Sequence, residues 1–215
     1  LVAMPWIDRV PAVLEAWFSG SEAGNALADV VFGAVNPSGK LPFTFPVRLE
    51  DNGAHALGEY PGSDKVKYNE SIFVGYRWHD KEQLKPLFAF GHGLSYTAFA
   101  VGNVKADRTT LAPNGSIRIS ADVTNTGDRA GAEVVQLYIG DEQSSLPRPV
   151  KELKGFQKVS LNPGQTRTVT FEITPGMLQY YDDAKGAWVA EPGAFTAYVG
   201  AASDDIRGTV EFELK

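Results

Sequence analysis

From about Phe99 to the end of the chain, apolar residues recur at every second position, and this alternation constrains the fold more than any other feature. Ile117, Ile119, Ala121 and Val123 form one run, Val135, Leu137 and Ile139 another, and Val169, Phe171 and Ile173 a third. Phe195, Ala197 and Val199 follow, and Val210, Phe212 and Leu214 close the chain. Successive side chains of a strand point to opposite faces, so a period of two places each run on one side of a sheet. Turn-forming clusters separate the runs: Asn125-Thr126-Gly127-Asp128, Asn162-Pro163-Gly164 and Glu191-Pro192-Gly193. About seven short strands with one apolar face and such punctuation predict an immunoglobulin-like or fibronectin type III-like β-sandwich over residues 98–215. No helical pattern of any length competes with it.

Residues 1–97 read as α/β. Val10 to Phe18 is an apolar stretch ending in Ala16-Trp17-Phe18, which predicts a buried strand. The small-residue loop Ser19-Gly20-Ser21-Glu22-Ala23-Gly24 follows. Then Ala23, Ala26, Leu27, Val30 and Val31 trace the apolar stripe of a helix, with Gly33 where a C-cap glycine belongs. Ligands of α/β sheets gather at the carboxyl ends of strands, which makes the 19–24 loop a candidate rim. The plainer reading is that its glycines serve a tight turn. Asn36-Pro37-Ser38-Gly39 has turn composition, and Leu41 to Phe45 is expected to be extended, kept to an edge by Pro42. Pro46 to Asn69 has no periodicity, the mark of a long functional or disordered loop. Ile72 to Trp78 fits strand or helix equally, and Leu87 to Tyr96 predicts a compact turn around His92.

The net charge of −6 and pI near 5.1 argue against a nucleic-acid partner, which would need clustered Lys and Arg. With no cysteine there is no disulfide, thiolate metal site or cysteine nucleophile. No apolar run is long enough to cross a bilayer, and no signal-peptide pattern is visible, so a soluble protein without a membrane partner is expected. The chain opens on Leu1 within an apolar run, which reads as a terminus cut from a longer protein. His55, His79 and His92 have no metal-ligand spacing, and His92 reads as a hydrogen-bonded structural residue. No nucleophile elbow, phosphate loop or dinucleotide fingerprint occurs, so no cofactor is expected.

Carboxylate chemistry remains, because glycoside hydrolysis uses two acids flanking the scissile bond. Glu22 and Glu70 lie in loops, but Glu22 also suits a helix N-terminus and Glu70 a solvated loop. Trp17, Tyr60, Tyr68 and Trp78 could stack on the C–H faces of a sugar, or simply pack in a core. Trp17, Glu22, Tyr68 and Glu70 are therefore the candidate substrate-binding residues of a cleft rim. No convincing catalytic pair emerges, and no metal site.

Short motifs run in order along the chain: Met4-Pro5-Trp6, Ala16-Trp17-Phe18, Asn25 to Gly33, Asn36 to Pro42, Phe73-Val74-Gly75-Tyr76-Arg77 and Phe90 to Tyr96. Val123 to Gly127, Gln136-Leu137-Tyr138 and Lys151 to Phe156 continue them. Together they resemble the C-terminal third of glycoside hydrolase family 3 enzymes, especially bacterial β-glucosidases with a terminal fibronectin type III-like domain. The resemblance implies that residues 1–97 end an α/β-sandwich domain and 98–215 form the fibronectin type III-like domain. It implies a retaining hydrolase of terminal non-reducing β-D-glucosyl residues acting by double displacement. The aspartate nucleophile, on a (β/α)8-barrel, and the glutamate acid/base, on a loop of the α/β domain, are both expected upstream of Leu1. The expected partners are that barrel, the remainder of the α/β domain, and β-linked glucosides or oligosaccharides; the compartment is bacterial cytoplasmic, periplasmic or secreted. A β-xylosidase, a β-N-acetylglucosaminidase and a non-catalytic carbohydrate-binding module are the alternatives. Two stretches depart from the family pattern: Ser19 to Gly24 stands for Pro-Gly-Gln-Glu-Gly-Gly, and Glu70-Ser71 for Glu-Gly. The sandwich, with no obvious outer stripe of aromatics, is expected to be structural, Tyr180 and Tyr181 being its exposed aromatics. The Pro46–Asn69 loop is expected to fold back toward the barrel cleft.

Overall fold

In the computed structural model, which describes residues 3–215, the alternating half of the chain forms two sheets that share one core. Its strands are β1 (Phe99–Ala106), β2 (Thr110–Leu111), β3 (Ile117–Asn125), β4 (Gly131–Asp141), β5 (Glu152–Leu161) and β6 (Thr166–Ile173). The short β7 (Tyr180–Asp182) and β8 (Ala187–Val189) precede β9 (Gly193–Ala202) and β10 (Asp205–Leu214). One sheet has the order β1-β3-β6, the other β2-β10-β9-β4-β5, and β7 pairs β8 as a separate hairpin. All pairings are antiparallel except that of β2, which runs parallel to the end of β10. Every run of period two named above lies in a strand. The extra strands are β2, β7 and β8, each of three residues or fewer, too short to display a period.

Ile117, Ile119, Ala121 and Val123 of β3 are buried while the residues between them are not, as expected for a sheet with one face in a core. In β4 the alternation disappears. Gln136 and Tyr138 are as buried as Val135, Leu137 and Ile139. The second face of β4 is covered by residues that precede β1.

Among the described residues, that region contains three α-helices, α1 (Ala23–Val31), α2 (Gly53–Ala56) and α3 (Tyr76–Lys81). α1 spans the expected apolar stripe, and Gly33, at φ +77°, ends it with its N–H on the Val30 carbonyl. None of its residues is buried. Val10 to Phe18, expected to be a buried strand, is neither strand nor buried: among the described residues nothing pairs with it, and an extended segment without a neighbour makes no ladder. Asn36 to Gly39 does not turn either. The Asn36 side chain is held by its neighbours: it donates to Ala130 O (3.0 Å) and accepts from Ser95 Oγ (2.9 Å) and Tyr96 N (2.8 Å). Leu41 to Phe45 runs antiparallel to 88–92, with Leu41 N on His92 O, Gly91 N on Leu41 O and Phe45 N on Phe88 O, each 2.8 Å.

The stretch after Pro46 is less irregular than its composition predicts. It holds a 3-10 turn at Leu49–Asp51 and the one-turn α2, whose N-cap Asn52 accepts from Ala54 N. A single turn carries no readable periodicity and draws its stability from its surroundings. Gly75, at φ +61°, decides the ambiguous heptad, breaking it so that helix begins at Tyr76.

Candidate functional site

The polar chemistry of the molecule concentrates where α3 and the 88–92 turn meet the outer face of β4. The Tyr76 ring stacks on Phe90 (5.0 Å) and meets Tyr138 edge-on (5.7 Å), while its hydroxyl accepts from Leu153 N (2.9 Å). One turn on, Asp80 pairs with Lys151 (2.6 Å), and Arg77 reaches Glu152 (3.1 Å). Gln136 Nε2 donates to Ala201 O (2.6 Å) and to Gly91 O (3.3 Å), and Tyr138 Oη donates to Gln136 Oε1. The approach is close: a Cβ on Gly91 would lie 2.3 Å from Gln136 Oε1. A second set of contacts, Lys40 with Glu133 (2.7 Å) and Arg129 with the Gly33 carbonyl, fastens the other end.

Electrostatics at this seam are those of a crowded, half-dry network. Burial pushes the Glu152 carboxyl up, but Lys154, Arg148 and Arg77 outweigh it and hold the group below its ordinary value. Burial also pushes the Lys154 ammonium down, with Glu152 opposing only in part. The Tyr138 phenol is raised by its burial, then by Tyr76 and Asp80. Arg148 ties β4 to β5 through Asp141 (2.8 Å) and Glu152 (2.9 Å) and lies over the Tyr180 ring. These contacts fix how the loops of the first region stand relative to the sandwich.

The four rim candidates fall into two pairs. Trp17, half exposed and at φ +47°, packs edge-on against Phe43 (5.2 Å), at the head of a row that continues through Phe45, Phe88 and His92. Glu22 occupies the N-cap position of α1 and accepts from Asn25 Nδ2 (2.7 Å). Tyr68 is 77% exposed at the end of the long loop, its carbonyl accepting from Ser71 N. Glu70 turns inward: its Oε2 is buried and, like Trp78 Nε1, has no partner among the described residues. Both residues press on Gly53, where a Cβ would meet the Trp78 ring at 3.0 Å and Glu70 Cβ at 3.2 Å. No hydrogen bond, ion pair or ring contact among the described residues joins the Trp17–Glu22 pair to the Tyr68–Glu70 pair.

The remaining sequence candidates take mixed places. Trp78 is buried, whereas Tyr60 is exposed and packs on His55 (4.7 Å). His79 is buried with Nδ1 on Leu84 O, and the His92 ring packs on Phe88. Beside His79, the buried Asp51 is held below its ordinary value first by its hydrogen bond with Arg48. Tyr180 is only partly exposed, a correction explained by the Arg148 guanidinium above it; the outward aromatics of the sandwich strands include Phe156 of β5 and also Tyr181 and Trp188, which pair across the β7–β8 hairpin (5.6 Å). Sequence reasoning missed Tyr76, Asp80, Gln136 and Lys151. The available signal was Gln136, a polar residue inside an otherwise apolar strand. No group of three His, Cys, Asp or Glu with metal-holding geometry occurs among the described residues.

Comparison with known proteins fits this two-part architecture. Residues 1–96 match the glycosyl hydrolase family 3 C-terminal domain, and residues 133–203 match the fibronectin type III-like domain. Beta-glucosidase BoGH3A of Bacteroides ovatus is 53% identical over 99% of this chain, and thermostable beta-glucosidase B of Acetivibrio thermocellus 50% identical over 95%. The match spans 29% and 27% of those proteins, so the chain covers less than a third of their length. Among solved structures, the β-glucosidase DesR of Streptomyces venezuelae, in complex with D-glucose, superposes with a TM-score of 0.92 at 40% identity, covering 100% of this chain and 27% of that one. The Kluyveromyces marxianus β-glucosidase in complex with glucose gives 0.90 at 42% identity, covering 100% and 26%. An α/β segment clamped to a fibronectin type III-like sandwich, with both parts matched in order, places this chain in glycosyl hydrolase family 3, to which it belongs.

Proposed function

We propose that the chain is the C-terminal part of a β-glucosidase that removes terminal non-reducing β-D-glucosyl residues from β-linked glucosides or oligosaccharides. The observation that carries this reading is the match along 99% or more of the chain to proteins named as β-glucosidases. In this reading residues 1–97 complete an α/β-sandwich domain and residues 98–215 are the fibronectin type III-like domain.

The chemistry is a double displacement. A carboxylate attacks the anomeric carbon while a carboxylic acid protonates the departing oxygen, and water then releases the sugar as the second group turns from acid to base. Both groups belong to the upstream polypeptide. This chain supplies a wall of the cleft, with Trp17, Glu22, Tyr68 and Glu70 at its rim and the aromatic rings offered to the apolar faces of the sugar. The long loop, pinned by a hydrogen bond between Asn69 and Glu59, leaves Tyr60 and Tyr68 exposed, and in this reading it folds back toward that cleft. The exposed apolar side chains Val13, Leu14, Phe18, Leu27, Val31 and Phe32 support docking on upstream domains, since an apolar face of that extent marks an interaction surface. The sandwich is the brace behind that wall.

Hydrolysis of an aryl β-glucoside is the test, by this chain alone and then with the upstream polypeptide supplied. The expected result is silence alone and turnover when combined. Turnover by the isolated chain would overturn the reading and make Glu22 and Glu70 the first residues to substitute. Preference of the combined protein for an aryl β-xyloside or β-N-acetylglucosaminide would transfer the assignment to that activity.

A further inference from the structure

We propose that the cleft between α3 and the β9–β10 turn is a binding site for a neutral pyranose sugar. The cleft has a volume of about 420 Å³, within the range of small-molecule pockets, and lies at a seam between two packed regions, where such pockets concentrate. Three of its lining residues are polar yet more than nine-tenths buried: Thr44, His79 and Ser203. The Thr44 hydroxyl has no partner among the described residues. His79 commits Nδ1 to Leu84 O, and Ser203 commits its backbone N–H to Phe90 O. The imidazole Nε2 and the Ser203 hydroxyl make no hydrogen bond among the described residues. Buried polar groups are normally satisfied, so the unpartnered Thr44 hydroxyl at this cavity points to a polar occupant.

The rim decides its class. Gln83, Lys85 and Asp204 line the cleft without a side-chain hydrogen bond or ion pair among the described residues, whereas Asp80 is already paired with Lys151. One free acid and one free base cancel, so no net charge is left to hold an ion. Together with the amide, hydroxyls and imidazole they offer donors and acceptors in similar number, which suits the hydroxyls of a sugar. Leu84 and Pro86 provide an apolar floor for its C–H face. The Gln83 backbone, at φ +54°, is the left-handed cap that ends α3, with Leu84 N on His79 O (2.8 Å). The inference rests on this lining and not on the β-glucosidase reading.

The test is titration of the isotope-labelled chain with D-glucose, followed through backbone amide signals. Saturable shifts are expected at Gln83, Leu84, Ser203 and Asp204. Asp204→Ala, a change at an exposed turn residue that leaves folding intact, is expected to weaken binding about tenfold, the scale of one lost hydrogen bond to a charged group. Gln83→Gly keeps the left-handed backbone and is expected to weaken binding without loss of thermal stability. Absence of saturation up to about 100 mM glucose would overturn the proposal, that being weak association on any scale. So would saturation by inorganic phosphate in place of glucose, or glucose shifts confined to Trp17 and Tyr68. Unchanged affinity in both variants would overturn it as well.

Discussion

β3 and α1 are both amphipathic, and they meet opposite fates. The apolar residues of β3 are within 1% of complete burial, whereas in and just after α1 Leu27, Val31 and Phe32 are exposed by 43%, 61% and 87%. An apolar face stabilises a fold only when a second layer lies against it. The sandwich carries both of its layers within this chain. Before β1, the buried apolar side chains among the described residues are Met4, Phe45, Pro46, Trp78 and Ala89, and two of these, in α3 and the 88–92 turn, sit on elements that dock on β4. The first region thus borrows order from the second through a polar seam. Its helices and loops are shaped mainly by caps, glycines and interregional hydrogen bonds.

The sharpest way to break this contrast is one substitution made in both regions. Phe195→Ala removes a fully buried ring that stacks on Phe212 (5.7 Å), and is expected to cost about 3–5 kcal/mol in denaturant unfolding. Phe32→Ala, at an exposed ring, is expected to stay within about 0.5 kcal/mol of wild type in the same chain. Equal costs would mean that the first region has a core of its own. Repeating the pair with the upstream polypeptide attached sharpens the comparison, because docking on the α1 face should then raise the cost at Phe32.

The same contrast governs what could be read from the residues. The sandwich was legible because alternation at Ile117–Val123 or Phe195–Val199 is a local consequence of a global burial that this chain completes. The Val10–Phe18 strand failed for the complementary reason: its apolar character is real, but no neighbour among the described residues pairs with it. Asn36 reads as a turn residue by type, yet its amide bonds Ala130, Ser95 and Tyr96, partners 59 to 94 residues away that no local window contains. The rim candidates were locally sensible for Glu22, which takes an N-cap position, and opaque for Glu70, whose burial depends on the pairing of Gly53 with Trp78.

A smaller effect tests the seam itself. In Gly91→Ala the new methyl would stand 2.3 Å from Gln136 Oε1, on a backbone at φ +82° that suits glycine. The buried amide cannot retreat without giving up its bonds to Ala201 O and Gly91 O. A cost of about 1–3 kcal/mol is expected, as for other overpacked sites, with hydrogen exchange accelerating in α3 and the 88–92 turn before it does in β3 or β9. Uniform acceleration across the chain would show the seam to be an integral part of one core.

The smallest expected effect concerns Glu152, where the seam and the sandwich share one carboxylate. Its folded-state pKa lies below the ordinary value of 4.5, because Lys154, Arg148 and Arg77 together overcome the opposing influence of burial, the largest single one. A carboxyl depressed in this way contributes stability that is complete above its unfolded value and fades as pH falls through the folded one. Unfolding free energies of wild type and Glu152→Gln should therefore differ by a constant amount near neutrality and converge below pH 4.5. The convergence can be no steeper than one proton allows, about 1.4 kcal/mol per pH unit. Other depressed carboxyls, Asp51, Asp107 and Asp122 among them, titrate in the same range, but they are common to both proteins and cancel in the difference. A gap that stays constant down to about pH 3, well below the ordinary carboxylate value, would mean that Glu152 acts by shape and hydrogen bonding alone. The polar seam would then hold the two regions together without relying on its charge.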